Sequence, residues 1–416
     1  MIKSAVKLPF AYLKTLIKWL AISTLVGLVG GALGSIFHIT IDYVTKVREE
    51  NSWLIFLLPF GGILIAAAYS IFKSKGRLDT NRVLDAATTE ERVPVIMAPL
   101  IFVSTAITHL LGGSAGREGA ALQLGGSIAY NFGRVFRLNK GDMHIAVMAG
   151  MSAVFAAMFG TPLTAAFFAI EVVCVGVMHY VALVPCVVSA LTAFWVSKLF
   201  GIPPVRFDGA LLSALSIDII VKVIILAVLC ALVSTLFCFA IKKCEHYMEK
   251  YLPNSYIKAF IGGIIIVGLT YILGTTDYNG AGMGVISSAI SGEARYEAFI
   301  LKILFTAITI AAGFRGGEIV PSFFIGATFG CVAGGLLGID AGFAAAIGLV
   351  AVFCGVVNCP IASLILSLEL FGADNILLFA LVCAISYMMS GYSGLYHSQK
   401  IAFSKLDEEY IDINTK

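Results

Sequence analysis

The chain predicts an all-α polytopic membrane protein, and three features carry that reading. Apolar runs follow one another with little polar relief: 59% of the 416 residues are hydrophobic and 13% are charged, with a mean hydropathy of +0.95. Such a composition exceeds what a water-soluble core hides and suits helices surrounded by lipid. The 42 glycines suit closely packed or interrupted membrane helices. Several apolar runs are too short to cross a bilayer upright, so tilted and broken helices are expected.

Taken in order, residues 1–18 carry Lys3, Lys7, Lys14 and Lys18 and read as a short amphipathic helix on the inner surface. No small-residue cleavage site follows, so this stretch is not read as a removable leader. Residues 19–47 form a long apolar helix with a seam of Gly27, Gly30, Gly31 and Gly34, and 53–72 form another. A basic loop (Lys73, Lys75, Arg77, Arg82) precedes a short polar helix near 81–91. Apolar segments then occupy 93–112, 117–136, 142–158, 162–178 and 180–200. Pro203-Pro204 and the polar stretch to Asp218 mark the mid-chain boundary. Beyond it come a long helix at 217–250 and segments at 256–274, 295–312, 318–338, 341–357, 360–371 and 375–391. Residues 392–416 are expected as a C-terminal helix and a charged, frayed cytoplasmic tail. Lysine and arginine cluster in the N-terminal stretch, at 73–82, at 242–250 and at 400–405. The positive-inside rule puts all four in the cytoplasm, with both termini there, in a cell's inner membrane. Arg134, Arg137 and Lys140 count against that assignment.

Nine cysteines are scattered, without CxxC or Cys/His ligand spacing. They read as reduced, small apolar residues, and no metal or cofactor site is expected. No phosphate loop, nucleophile–base set or nucleic-acid patch stands out.

The chemistry concentrates in Gly112-Gly113-Ser114-Ala115-Gly116-Arg117-Glu118-Gly119, a glycine-rich loop that opens a helix between two apolar runs. Free N–H groups and the positive end of a helix dipole then lie at membrane depth, where they attract an anion. Glu118 becomes a tethered anion beside an anion site, able to compete with a free ion and to take a proton. The plainer reading is an interhelical turn with Glu118 paired to Arg117. Ionisable residues at membrane depth are costly and favour the functional reading. Arg315-Gly316-Gly317-Glu318-Ile319-Val320-Pro321 is a second glycine-rich helix start with its own acid. Proline early in a helix is tolerated, and the glycines admit a ligand close to the backbone. Glu318 reads as a proton relay, or else as a helix-end acid paired with Arg315.

The two starts belong to an internal repeat. Phe159-Gly160-Thr161-Pro162 leads to Glu171, and Val357-Asn358-Cys359-Pro360 leads to Glu369, nine positions after each proline. The offset is 198 residues for the prolines and 201 for the glycine loops. Duplicated halves whose broken helices meet near the midplane are a pattern of ion transporters. The halves are expected at 19–204 and 205–391 of a single transmembrane domain. Glu171 and Glu369 read as structural acids that cap neighbouring helix ends, His109 as a residue that hydrogen-bonds a neighbouring helix, and Tyr396 as an interfacial anchor.

At these residues the chain resembles the CLC family of chloride channels and anion/proton antiporters. Gly116-Arg117-Glu118-Gly119 matches the family's GREG(P) motif, with Ala120 in place of proline, and Gly316-Gly317-Glu318-Ile319-Val320-Pro321 is similar to its GGxFxP motif. The 159–171 stretch and Leu395-Tyr396 fit further family motifs. The resemblance implies two inverted halves, a homodimer with one pore per subunit, Glu118 as gating glutamate and Tyr396 as inner hydroxyl ligand. Gly116, Arg117, Gly119, Gly317, Ile319 and Val320 then frame the anion.

Three departures stand out. The family's GSGIP loop is replaced by Gly76-Arg77-Leu78-Asp79-Thr80-Asn81, which leaves Thr80 and Asn81 as substitute ligands; Val172 stands where an internal proton-transfer glutamate is expected; and Glu318 stands where chloride-transporting members carry an apolar residue. This set resembles the fluoride/proton antiporter branch and implies export of fluoride in exchange for protons, by a transporter and not an enzyme. The alternatives are a chloride/proton antiporter or passive chloride channel, an intramembrane acid-dependent enzyme, and a non-transporting scaffold.

Overall fold

A computed structural model describes residues 2–72, 78–207 and 216–416, without the side chains of 2–9. Lys73, Lys75, Gly76 and Arg77 of the basic loop, and 208–215 of the mid-chain boundary, lie outside the described residues. The fold is helical, as expected. Helices α1 (Ile2–Glu50), α2 (Leu58–Ile71), α3 (Thr80–Thr88), α4 (Met97–Leu111), α5 (Glu118–Val135), α6 (Lys140–Phe159), α7 (Pro162–Glu171) and α8 (Leu183–Leu199) make the first half. The second holds α9 (Ile217–Tyr251), α10 (Ser255–Leu273), α11 (Met283–Ile290), α12 (Ala298–Ala311), α13 (Ile319–Leu336), α14 (Ala341–Val357), α15 (Pro360–Phe371) and α16 (Ile376–Met389).

Among the described residues, seven helices are long and apolar enough to cross a membrane, and six further apolar helices have only 10–17 residues. At about 1.5 Å per residue, the shortest of these reaches only partway through a bilayer. These are the broken helices that the short apolar runs imply. For two of them, α7 and α15, the two halves supply a partner at the buried end. Glu171 at the C-terminus of α7 accepts from Ile361 N (3.2 Å) and Ala362 N (2.8 Å) at the start of α15. Glu369 on α15 accepts from Leu163 N (3.0 Å) and Thr164 N (2.8 Å) at the start of α7. The exchange repeats at an offset of 198 residues with the helices antiparallel, so the halves are inverted. Both acids cap neighbouring helix ends, as the sequence led one to expect.

Glycine packing repeats in the same way. A Cβ on Gly125 of α5 would overlap the carbonyl of Gly150 on α6, and one on Gly326 of α13 would overlap the carbonyl of Gly348 on α14. The most buried helices touch backbone to backbone at these four positions.

Three expectations need correction. Residues 1–18 are not a separate surface helix, because α1 runs unbroken to Glu50. No glycine or proline interrupts 10–18, and Lys18 is ion-paired to Asp142 at the start of α6. Residues 392–416 hold no helix and are not frayed. They form strands β2 (Lys400–Phe403) and β3 (Tyr410–Asn414), antiparallel to each other, with β2 parallel to β1 (Cys174–Val175). Lys405 ties this hairpin to the helices through Asn358 Oδ1 (2.6 Å) and Tyr387 O (2.8 Å). Finally, Lys140 does not oppose the N-terminal basic cluster. Lys140 pairs with Glu90 just beyond α3, at the end of the molecule where Lys18 meets Asp142.

Candidate anion and proton site

The site is built where the two glycine loops cross. Each follows a helix that ends on a glycine of positive φ, Gly112 (87°) after α4 and Gly313 (95°) after α12, a conformation that suits glycine. Each loop is held by a threonine of the opposite half. Ser114 N donates to Thr309 Oγ1 (3.1 Å), and Arg315 N donates to Thr108 Oγ1 (3.2 Å). At the crossing, Gly116 N donates to Gly317 O and Gly317 N to Gly116 O, both at 2.7 Å. The equivalent residues of the two halves, Ser114 and Arg315, Thr108 and Thr309, and Gly116 and Gly317, each stand 201 positions apart. A Cβ on Gly116 would overlap Glu118 Oε2, and one on Gly317 would overlap Gly119 N. These glycines serve close approach. Their N–H groups are committed to each other, so the donors left for an anion are those of the residues that follow.

Glu118 is fully buried. Its Oε2 accepts from Arg117 N (2.9 Å) and from Val320 N (3.3 Å), one donor beside each helix start. Its Oε1 has no partner. The carboxylate thus occupies the place that the N–H groups offer an anion. Arg117 does not pair with it: the guanidinium turns away to Asp42 Oδ1 (2.6 Å), whose other oxygen meets His38 Nε2 (3.1 Å). A cavity of about 1050 Å³ lined by Asp42, Arg48, Arg117 and Val320 reaches Glu118. His109 also borders it; its ring bonds within its own helix, Nδ1 to Thr105 O (3.0 Å), and not to a neighbouring helix as expected, and its Nε2 has no partner.

Glu318 is partly buried. It is not paired with Arg315, whose guanidinium lies 4.0 Å from the centre of the Tyr69 ring. Its carboxylate faces α5, since a Cβ on Gly119 would stand 3.4 Å from Glu318 Oε2. Glu118 thus reaches the start of α13 while Glu318 reaches the start of α5. Ile319 is buried as the first residue of α13.

Tyr396 is 2% exposed and its hydroxyl has no partner. The loop is strapped from behind by Thr415 Oγ1, which donates to Tyr396 O (2.6 Å). Thr80 and Asn81 open α3 beside it. Asn81 Oδ1 accepts from Ser398 N (2.9 Å), and Thr80 Oγ1 accepts from Gln123 Nε2 (2.9 Å). The structure therefore brings Gly116, Arg117, Glu118, Gly119, Gly317, Glu318, Ile319 and Val320 together around two facing helix starts, while Asn81 joins the Tyr396 loop and Thr80 joins α5 through Gln123. Val172 is buried, its carbonyl bonded by Gln399 Nε2 (3.1 Å), and carries no proton group.

Sequence reasoning missed Gln123, Asp42 and His38. Gln123 had a signal, as an amide in an otherwise apolar stretch five residues after Glu118. Asp42 and His38 lie some 75 residues before Arg117, and nothing local links them.

Comparison with known proteins agrees with this geometry. Residues 61–391 match the family model described as voltage gated chloride channel. A "Chloride/fluoride channel protein" of Pseudomonas syringae pv. tomato is 35% identical over 395 residues, covering 93% of this chain and 87% of that protein. A solved structure titled as that of a CLC-type fluoride/proton antiporter superposes with a TM-score of 0.89 at 31% identity, covering 93% of this chain and 98% of that one. The structure of a slow cyanobacterial Cl−/H+ antiporter shares the fold, with a TM-score of 0.75 at 19% identity and coverage of 89% and 94%.

Proposed function

The chain belongs to the voltage gated chloride channel (CLC) family, and from that premise we propose that it is a fluoride/proton antiporter, exporting fluoride from the cytoplasm in exchange for entering protons. One observation carries the proposal: the Glu118 carboxylate sits on N–H donors from both helix starts, as a bound anion would. Seated, it closes the path from the cavity above. Protonated, it loses its charge and its hold on the N–H groups, and a free anion takes them. Glu118 is therefore gate and proton acceptor. With Val172 unable to carry a proton, Glu318 hands protons onward and stands beside the ion.

Arg117 and Val320 offer backbone N–H groups, and Tyr396, Thr80 and Asn81 offer side-chain donors on the other side of the gate. Gly116, Gly119, Gly317 and Ile319 shape the backbone that brings these donors together. A small, strongly hydrated anion needs strong donors to replace its water, and uncommitted hydroxyls supply them. The fluoride-related names of the relatives at 35% and 31% identity support the choice of ion.

The protein acts as a homodimer with one path per subunit, in the inner membrane, with both termini cytoplasmic and the halves divided at 204/205. The basic ends around Lys18 and Lys140 support that orientation. The test is efflux of fluoride and of chloride from liposomes holding the purified protein, with internal pH recorded. Fluoride efflux that acidifies the lumen supports the proposal, and chloride flux without proton movement opposes it.

A further inference from the structure

Gln123 has no assigned role, yet its surroundings give it one. The residue is 4% exposed on α5. Its Nε2 donates to Thr80 Oγ1 at 2.9 Å, and its Oε1 has no partner. The contact is locked by packing, because a Cβ on Gly126, one turn along α5, would overlap Val83 Cγ1, one turn along α3. Thr80 is itself 7% exposed and makes no other side-chain bond among the described residues.

A hydroxyl that accepts one bond still has its proton to give. Gln123 therefore fixes the polarity of Thr80. With the amide N–H2 turned to Oγ1, the hydroxyl proton points away from α5 and is available to an anion. The reversed amide would draw that proton onto Oε1 and turn lone pairs toward the ion, which an anion would not tolerate. We infer that Gln123 is a specificity-determining positioning residue: it holds Thr80 as a hydrogen-bond donor and thereby favours fluoride, the strongest acceptor among the halides, over chloride. The inference rests on the reading of Thr80 as an ion ligand given above. The bare Oε1 completes the device. It repels an anion from α5 itself and accepts only a proton donor, such as a water carried with the ion.

The test is a double-mutant cycle on the KM for fluoride in reconstituted liposomes, with Gln123→Met, Thr80→Val and the pair. Each single change removes one hydrogen bond along the same line, so each raises KM by about three- to tenfold, with the fluoride-to-chloride selectivity falling in step. The double variant is no worse than Thr80→Val alone to within about twofold, because Gln123 acts through a hydroxyl that is already gone. Thr80→Ser, which keeps a hydroxyl, restores the sensitivity to Gln123→Met. An unchanged KM in Gln123→Met, or effects that multiply in the double variant, overturns the inference. If Gln123→Met fails to reconstitute, the same cycle is read as fluoride affinity by calorimetry on detergent-solubilised protein, with the same outcomes deciding. A wild-type protein that moves chloride and ignores fluoride sinks the antiporter reading instead, and the cycle read on chloride then shows whether Gln123 and Thr80 are coupled at all.

Discussion

Three acids compete for the proton route, and the structure separates them by what each holds. Glu171 is 5% exposed and takes two backbone N–H groups of α15, Ile361 at 3.2 Å and Ala362 at 2.8 Å. Hydrogen bonds to a charged group contribute roughly 1.5–3 kcal/mol each, so Glu171→Ala, which removes both, costs roughly 3–6 kcal/mol of stability. Glu171→Gln keeps one acceptor oxygen and costs about half of that. Glu369 holds α7 in the same way and responds alike. The Glu318 side chain forms no ion pair and no hydrogen bond to another residue among those described, so Glu318→Ala removes no such support. The expected pattern is therefore crossed. Glu171→Gln lowers the thermal midpoint of the detergent-solubilised protein while its surviving molecules couple fluoride to protons normally. Glu318→Ala keeps the midpoint, slows fluoride turnover and uncouples protons. Parallel records of proton and fluoride flux beside a thermal ramp read both halves of the pattern. If Glu171→Gln abolishes proton coupling while Glu318→Ala leaves it intact, the proton route runs through α7 and the assignment of Glu318 is wrong.

Three further outcomes follow from the same geometry. Gly348→Ala forces a methyl group onto the carbonyl of Gly326 between α13 and α14, and should lower stability by about 1–3 kcal/mol, seen as an earlier thermal midpoint; Gly150→Ala should do the same between α5 and α6. Asp42→Asn weakens the ion pair that turns Arg117 away from the gate, so Arg117 becomes free to approach Glu118, and fluoride flux should fall without loss of expression or fold. A tandem dimer of one wild-type and one Glu118→Gln subunit should keep about half the flux of the wild-type tandem if each subunit carries its own path, and complete loss of flux would indicate a shared one.

Much of this site was legible because it is written twice. The glycine loops and Pro-led helices recur at offsets of 201 and 198, and the structure turns each recurrence into a reciprocal bond: Gly116 with Gly317, Thr108 and Thr309 with the opposite loops, Glu171 and Glu369 with the opposite helix starts. Apolar runs gave helix positions well, because lipid and protein both demand internal backbone bonding there. Met283–Ile290 escaped because eight residues give too little period to read. The hairpin at 400–414 escaped because its order comes from Lys405 and Thr415, polar contacts to distant loops that no local pattern announces. The plainer pairings of Glu118 with Arg117 and Glu318 with Arg315 were reasonable by proximity in the chain, yet Asp42 and Tyr69 take the two arginines.

The central claim is that a protonatable carboxylate at position 118 alternates with fluoride on the N–H groups beside two facing helix starts. The most direct measurement is fluoride efflux with simultaneous pH recording from liposomes of wild-type protein and of Glu118→Gln, whose amide keeps the shape but cannot cycle between carboxylate and acid. The account predicts fluoride-driven proton movement in the wild type and none in the variant. Proton-coupled fluoride exchange of normal rate in Glu118→Gln would contradict it.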